Sequence, residues 1–318
     1  MAKESAGYAY GRVGFLGNPS DIYGGKCLSF TFDKIAEVKM RDASGLCIRR
    51  ENCSSAHTLE DMGKDDEHRL VKATLRKLGI QEGFCLDYGS EVPYGSGLAG
   101  STALVIATLK AAKDHYQIAM DRYEMAELAL RVEIEELGIA AGFQDRYVIA
   151  FGGVCFMDFS GKEYIRKDDP YGFVEQLPVS EIPFFLSLGV KPKSSAQVHN
   201  SLRERFLRGG LEAQRIKEGM DRIADLALEG KEYLLRGKWD AVGKLMNKNT
   251  ELREEFCPHL DLDRKMIRRA LNLGALGAKV AGSGGAVVIL SEERSVFEEM
   301  KQDYPVYQPR ISRYEEKR

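Results

Sequence analysis

The residues best suited to chemistry fall in one stretch, Val92-Pro93-Tyr94-Gly95-Ser96-Gly97-Leu98-Ala99-Gly100-Ser101-Thr102-Ala103. Before it, Gly83–Tyr88 alternates apolar and polar residues as a strand does. After it, Ala103–Ala112 is rich in Ala and Leu and reads as a buried helix. The glycines and the Ser-Thr pair therefore stand where a helix begins. First-turn N–H groups have no intrahelical partner and carry a partial positive charge. Glycine lets the backbone come close to a ligand, so a phosphate chain suits the place. An ordinary strand-to-helix turn, with Ser101 or Thr102 as the cap, accounts for the same residues.

Two further glycine-rich stretches bear on that choice: Gly11-Arg12-Val13-Gly14-Phe15-Leu16-Gly17-Asn18-Pro19-Ser20-Asp21-Ile22-Tyr23-Gly24-Gly25 and Lys279-Val280-Ala281-Gly282-Ser283-Gly284-Gly285. In this order, the three resemble the signature motifs of the GHMP kinases: G-R-V-N-L-I-G-E-H-x-D-x-x-x-G, P-x-x-x-G-L-x-S-S-A and K-x-(S/T)-G-(A/S)-G-G-G. Leu16–Asp21, Gly97–Thr102, Glu136–Arg146 and Gly152–Phe159 are similar to the glucuronokinase branch of sugar-1-kinases. Heptose-phosphate kinases share part of the pattern, and residues 160–275 contribute little to it.

The resemblance implies ATP- and Mg²⁺-dependent phosphorylation of the anomeric hydroxyl of a sugar or uronic acid, D-glucuronate giving its 1-phosphate. A heptose phosphate or another small alcohol is the alternative acceptor, and a sugar and ATP sensor without turnover is the alternative of another class. It assigns the nucleotide phosphates to Pro93, Gly95, Ser96, Gly97, Leu98, Ala99, Gly100, Ser101 and Thr102, and the ion to Ser101 and Glu133. Glu135 competes with Glu133, because helical spacing puts the two on different faces. Asp145 is implied as the catalytic carboxylate that takes the hydroxyl proton, with Arg12 as the basic residue of the first motif. A buried Asp145–Arg12 ion pair without catalytic role is the competing account. Substrate contacts are implied for Asn18, Asp21, Asp145, Gly282, Ser283 and Gly284. Asn18 stands where galactokinases carry glutamate, which argues against galactose. Lys26 or Arg146 is the expected partner of a uronate carboxylate. Tyr88, Tyr94 and Trp239 are aromatic candidates for an adenine pocket, although packing explains each equally well.

Composition bounds the rest. The chain has 318 residues, 44% hydrophobic and 30% charged, with a net charge of −2, which argues against binding nucleic acid through phosphate neutralisation. It contains no G-x-x-x-x-G-K-[ST] loop, no run long enough to span a membrane and no apolar signal-peptide core near Met1. Its cysteines form no C-x-x-C pair and its histidines have no metal-ligand spacing. A cytoplasmic protein acting on a small molecule, without nucleic-acid or membrane partners, is expected.

The elements that must position these residues follow from periodicity. Strands are expected at 8–17, 28–32, 36–40, 46–50, 83–88, 154–159, 163–167, 173–177, 184–188, 277–290 (around the glycine turn) and 305–311. Helices are expected at 66–78, 103–116, 121–137, 196–206, 211–228, 238–256, 263–273 and 293–301. A mobile surface loop is expected over 52–66, and 313–318 should fray. The pattern is α+β in two domains, divided near Pro178 and Pro183 into 1–180 and 181–318. The resemblance implies a ribosomal-S5-like N-terminal half that binds ATP and a ferredoxin-like C-terminal half.

Overall fold

The computed structural model describes residues 3–50, 55–60, 63, 66–93, 95–162, 170–189 and 196–314. The expected strand at 163–167, Tyr94, Cys53, part of the 52–66 loop and the last four residues lie outside them. Two compact units emerge, the first made of residues 1–11, 34–93 and 99–150, the second of 12–33, 94–98 and 151–318. This differs from a single division at 180. The cause is two long strands that run through both units, β1 (Glu4–Leu16) and β2 (Lys26–Asp42), which pair with each other. Alternation falters around Asp33 and Lys34, so β2 reads as two strands, whereas its backbone is extended without a break.

In the first unit, β2 pairs antiparallel with β5 (Phe84–Ser90), from Ala36↔Ser90 to Asp42↔Phe84. β5 lies parallel to β3 (Leu46–Arg50), and β3 is flanked by the short β4 (Ser55–Ala56). Part of the expected loop is therefore strand. Helix α1 (Arg69–Lys77) ends before Gly79, whose φ of +72° stops it. Helix α2 (Gly100–Tyr116) buries Ala103, Leu104, Val105, Ile106, Ala107 and Leu109, and α1 packs on it. Helix α3 (Arg122–Arg131) opens with a capping box: Asp121 accepts from the Glu124 N–H at 2.8 Å and Glu124 accepts from the Asp121 N–H at 2.7 Å. The expected helix 121–137 holds, but its last turn, Val132–Glu136, winds as a π-helix before Gly138. Helix α4 (Gln144–Phe151) was not expected from periodicity.

In the second unit, residues 26–30 of β2 pair antiparallel with β6 (Val154–Asp158), and β6 with β7 (Phe173–Leu177). A second sheet has the order β11-β8-β10-β9, built from β8 (Phe184–Leu188), β9 (Gly277–Val280), β10 (Ala286–Leu290) and β11 (Val306–Tyr307). Its helices are α5 (Ala196–Leu207), α6 (Gly210–Leu235), α7 (Trp239–Glu254), α8 (Asp261–Asn272) and α9 (Arg294–Asp303). Met266, Ile267 and Ala270 of α8 pack with Ala278, Val280, Val287 and Ile289 of the strands in a dry core. The chain end is tied down at Arg313, whose guanidinium donates to the Leu177 and Val179 carbonyls, both at 2.6 Å. Fraying therefore does not begin at 313.

Candidate active site

The first unit gathers its functional residues at the start of α2. Ala99, with φ of +59°, is the N-cap and offers no side-chain cap; Ser101 is exposed. The capping role for Ser101 or Thr102 is thus not the one adopted. Instead, Thr102 is buried and its hydroxyl donates to Glu133 Oε1 at 2.8 Å. The other carboxylate oxygen of Glu133 is ion-paired with Arg146. Glu133 is 1% and Arg146 5% exposed, so the pair is enclosed by the fold. The π-helical turn aims Glu133 inward, while Glu135 and Glu136 face Lys77 on the outside. Of the two glutamates, Glu133 is the buried one and Glu135 the exposed one.

Asp145 sits in the first turn of α4, with its carboxylate 18% exposed and 3.9 Å from Arg146 Nη1. The same Nη1 donates to the Gly142 carbonyl at 2.8 Å. Arg146 therefore lies between two acidic side chains, and its expected role as a partner for a uronate does not survive: Glu133 already holds it. Lys26 also has a carboxylate neighbour, Asp158 at 3.7 Å.

Both oxygens of Glu133 are taken, so it fits a divalent ion only if Arg146 lets go. Ser101, an exposed hydroxyl with no hydrogen-bond partner among the described residues, fits one directly. No group of three or more His, Cys, Asp or Glu side chains suited to a metal occurs among the described residues.

The second unit laces the three glycine-rich stretches together. Arg12 Nη1 donates to the Gly97 carbonyl at 2.6 Å and the Ala281 carbonyl at 3.1 Å, and the Arg12 N–H donates to the Leu98 carbonyl at 3.0 Å. Gly97, at φ +73°, has no room for a side chain, since a Cβ would stand 2.6 Å from the Gly284 carbonyl oxygen. The Gly282–Gly285 turn thus rests on the loop at Gly97. Arg253 Nη1 donates to the Gly282 carbonyl at 2.8 Å, and Asp263 accepts from the Gly285 N–H at 3.1 Å. Ser96, Leu98, Asn18 and Asp21 are all buried here. Lys279 Nζ donates to the Gly14 carbonyl at 3.1 Å, Asn18 Oδ1 at 2.6 Å and the Val280 carbonyl at 3.0 Å. Burial, then Arg253 and Arg12, push the Lys279 pKa well below the lysine value. Three oxygen acceptors nevertheless call for the three N–H donors of an ammonium.

Sequence reasoning missed Asn249, which accepts from the Gly17 N–H at 2.9 Å and donates to the Asn18 carbonyl at 3.2 Å. It also missed Arg253 and His259; burial and Arg253 lower the His259 pKa to about 4, against the pull of Glu254. The apolar face of α7, Val242, Leu245, Met246 and Leu252, interrupted by Asn249 and Arg253, was the available signal. Of the adenine candidates, Tyr88 is buried, and its hydroxyl donates to the Glu67 carbonyl at 2.9 Å and meets His68 Nδ1 at 3.0 Å. That is packing, while Trp239 sits half-buried at the start of α7.

Comparison with known proteins gives the family. Residues 68–153 match the GHMP kinases N terminal domain and residues 231–306 the GHMP kinases C terminal. Probable glucuronokinase 2 of Arabidopsis thaliana is 34% identical over 90% of this chain and 84% of its own. The D-glycero-alpha-D-manno-heptose 7-phosphate kinase of Campylobacter jejuni is 28% identical over 70% of this chain and 64% of its own. The crystal structure of Lactococcus lactis galactokinase complexed with galactose has the same fold, with a TM-score of 0.80 at 16% identity, covering 98% of this chain and 94% of that one. With both family halves matched in order and a relative this similar along most of its length, the chain belongs to the GHMP kinases and is a phosphotransferase whose acceptor is a hydroxyl group.

Proposed function

We propose that the protein is an ATP-dependent sugar kinase that phosphorylates the anomeric hydroxyl of D-glucuronate. The observation that carries the kinase chemistry is the start of α2, a helix N-terminus with no side-chain cap behind a glycine loop, in the same unit as Asp145. The unpaired N–H groups of Gly100, Ser101 and Thr102 suit the phosphates of ATP. Asp145 receives the proton of the attacking hydroxyl, with Arg146 as its counter-charge. Glu133 and Thr102 fix Arg146 and so keep the α3–α4 connection in register with the start of α2. Magnesium, when bound with the nucleotide, supplies charge neutralisation on the transferring phosphate. Ser101, an exposed hydroxyl in the first turn of α2, would hold it.

Glucuronate is favoured among sugars by the similarity to the Arabidopsis glucuronokinases, at 34% and 30% identity. Asn18 in place of an acid points the same way, because a second carboxylate there would repel a uronate. The heptose-phosphate reading rests on the 28% identity to the Campylobacter kinase. Coupled ADP release over glucuronate, galacturonate, glucose, galactose and a heptose 7-phosphate tests the assignment. The highest kcat/KM is expected for glucuronate. A preference for the heptose phosphate, or equal rates for glucose and glucuronate, overturns the substrate while leaving the kinase.

A further inference from the structure

The sheet of the first unit sets two thiols side by side. Met40, Ile48 and Leu86 are fully buried on one of its faces. Alternation along the strands puts their neighbours Arg41, Cys47 and Cys85 on the other. Cys85 of β5 is paired in register with Cys47 of β3 on one side and with Arg41 of β2 on the other. The three side chains therefore stand in one row across three strands. Neighbouring strands lie about 4.8 Å apart, inside the Cα separation of about 4.4–6.8 Å that a disulfide spans. Both thiols are free, and they are close enough to interact.

Two guanidinium groups attend the pair. Arg41 Nη2 donates to Cys85 Sγ at 3.3 Å, although Asp87 lies 3.9 Å from the same nitrogen. Arg49 donates to the Cys47 sulfur, a contact that raises the Arg49 pKa. Cations beside a sulfur favour the thiolate, the form that attacks disulfides. Cys47 is half-buried and Cys85 buried, so a reagent in solution reaches Cys47 first. Burial, then the Cys47 thiol, pushes the Cys85 pKa up against the pull of Arg41 and Arg49, which suits Cys85 to the second step. Cys27, Cys155 and Cys257 are enclosed in the second unit, and burial pushes the Cys27 pKa well above the usual thiol value. We propose that Cys47 and Cys85 form a reversible thiol–disulfide exchange site for small disulfides, with Cys47 as the attacking thiol and Cys85 as the resolving one. The Cys47 thiolate attacks one sulfur of oxidised glutathione and expels the other half as a glutathione thiolate. The Cys85 thiolate then attacks Cys47 Sγ and expels the second glutathione. The protons of the two cysteines leave with the two glutathiones, so one disulfide is reduced as the other forms.

The test is to incubate the native protein with excess oxidised glutathione, quench with acid, and map every cysteine by peptide mass spectrometry over time. Peptides containing Cys47 and Cys85 should become joined with the loss of two hydrogens, and reduced glutathione should reverse the link. Cys27, Cys155 and Cys257 should stay reduced or react at least about tenfold more slowly. Cys85→Ser should accumulate a glutathione adduct on Cys47, and Cys47→Ser should leave Cys85 reduced. If Cys85→Ser does not fold, the wild-type map and Cys47→Ser decide. A persistent glutathione adduct on Cys47 of the wild type overturns the assignment, because Cys85 then does not resolve it. So does a link from Cys47 to Cys53, or modification of Cys85 at the wild-type rate in Cys47→Ser. Cysteines that all stay reduced, or that all react at one rate, overturn it as well.

Discussion

Removing Arg146 should damage the fold as well as the chemistry, and the size of the effect can be worked from its surroundings. Glu133 is 1% exposed and has two partners, the Thr102 hydroxyl at 2.8 Å and Arg146. Arg146→Met leaves a buried carboxylate with the hydroxyl alone. Breaking a buried ion pair from one side costs about 3–5 kcal/mol, because the remaining charge stays out of water. With an m value of about 3 kcal/mol per molar urea, the unfolding midpoint should fall by about 1–2 M. Glu133→Gln should cost a similar amount from the other side. The double variant Glu133→Gln, Arg146→Met removes both charges and should recover at least about 2 kcal/mol relative to the sum of the singles. Urea unfolding followed by fluorescence gives all four corners of the cycle. Single losses under about 1 kcal/mol that simply add would refute the reasoning, since the pair would then not be enclosed as described.

Other outcomes follow from the same geometry. Asp145→Asn should reduce turnover about 10²-fold or more while leaving the urea midpoint near wild type; a folded variant with normal turnover removes Asp145 from the chemistry. Gly97→Ala combines a φ of +73° with a Cβ 2.6 Å from the Gly284 oxygen, so it should lose about 1–3 kcal/mol and raise the KM for ATP. Gly138→Ala, at φ +62° with open space around it, should cost only about 1 kcal/mol and spare the KM. His259 titrates at about 4 in the folded protein and near 6.5 unfolded, so the unfolded chain binds the extra proton first. Its contribution is complete above pH 6.5 and is lost as pH falls towards 4, which should cost of order 2–3 kcal/mol. Glu254, held near 2 by His259 and Arg264 against the effect of burial, adds a further loss below pH 4.5. Urea midpoints between pH 7 and 4 should fall steadily, and His259→Gln should flatten the slope; an unchanged slope contradicts the assignment.

Local rules made much of this molecule legible. The capping box at Asp121 and Glu124, the stop at Gly79 and the alternation of β5 depend on neighbours in sequence, and the helices beginning near 121 and ending near 78 and the strand at 83–88 stand close to where expected. The three glycine stretches stood out in the sequence because close backbone approach leaves few alternatives to glycine, as Gly97 against Gly284 illustrates. Other features depend on distant partners. Lys279 contacts Gly14 and Asn18 across most of the chain, and no spacing signals that its ammonium is buried. Arg146 looked available for a substrate because the π-helical turn that brings Glu133 to it has no sequence signature. Helix α4 is a single short run, Gln144–Phe151, too brief for periodicity to separate it from the following strand. The division at 180 missed the continuity of β2, which ties residues 26–30 to β6 and residues 36–42 to β5.

Phosphoryl transfer to the anomeric oxygen of a uronate is tested most directly by product identity. Purified protein, ATP, magnesium and D-glucuronate should give one ADP per sugar phosphate. Phosphorus–proton correlation NMR should then couple the new phosphate to the anomeric proton. Phosphate coupled to any other sugar proton, or ADP release that is the same without glucuronate, would contradict it.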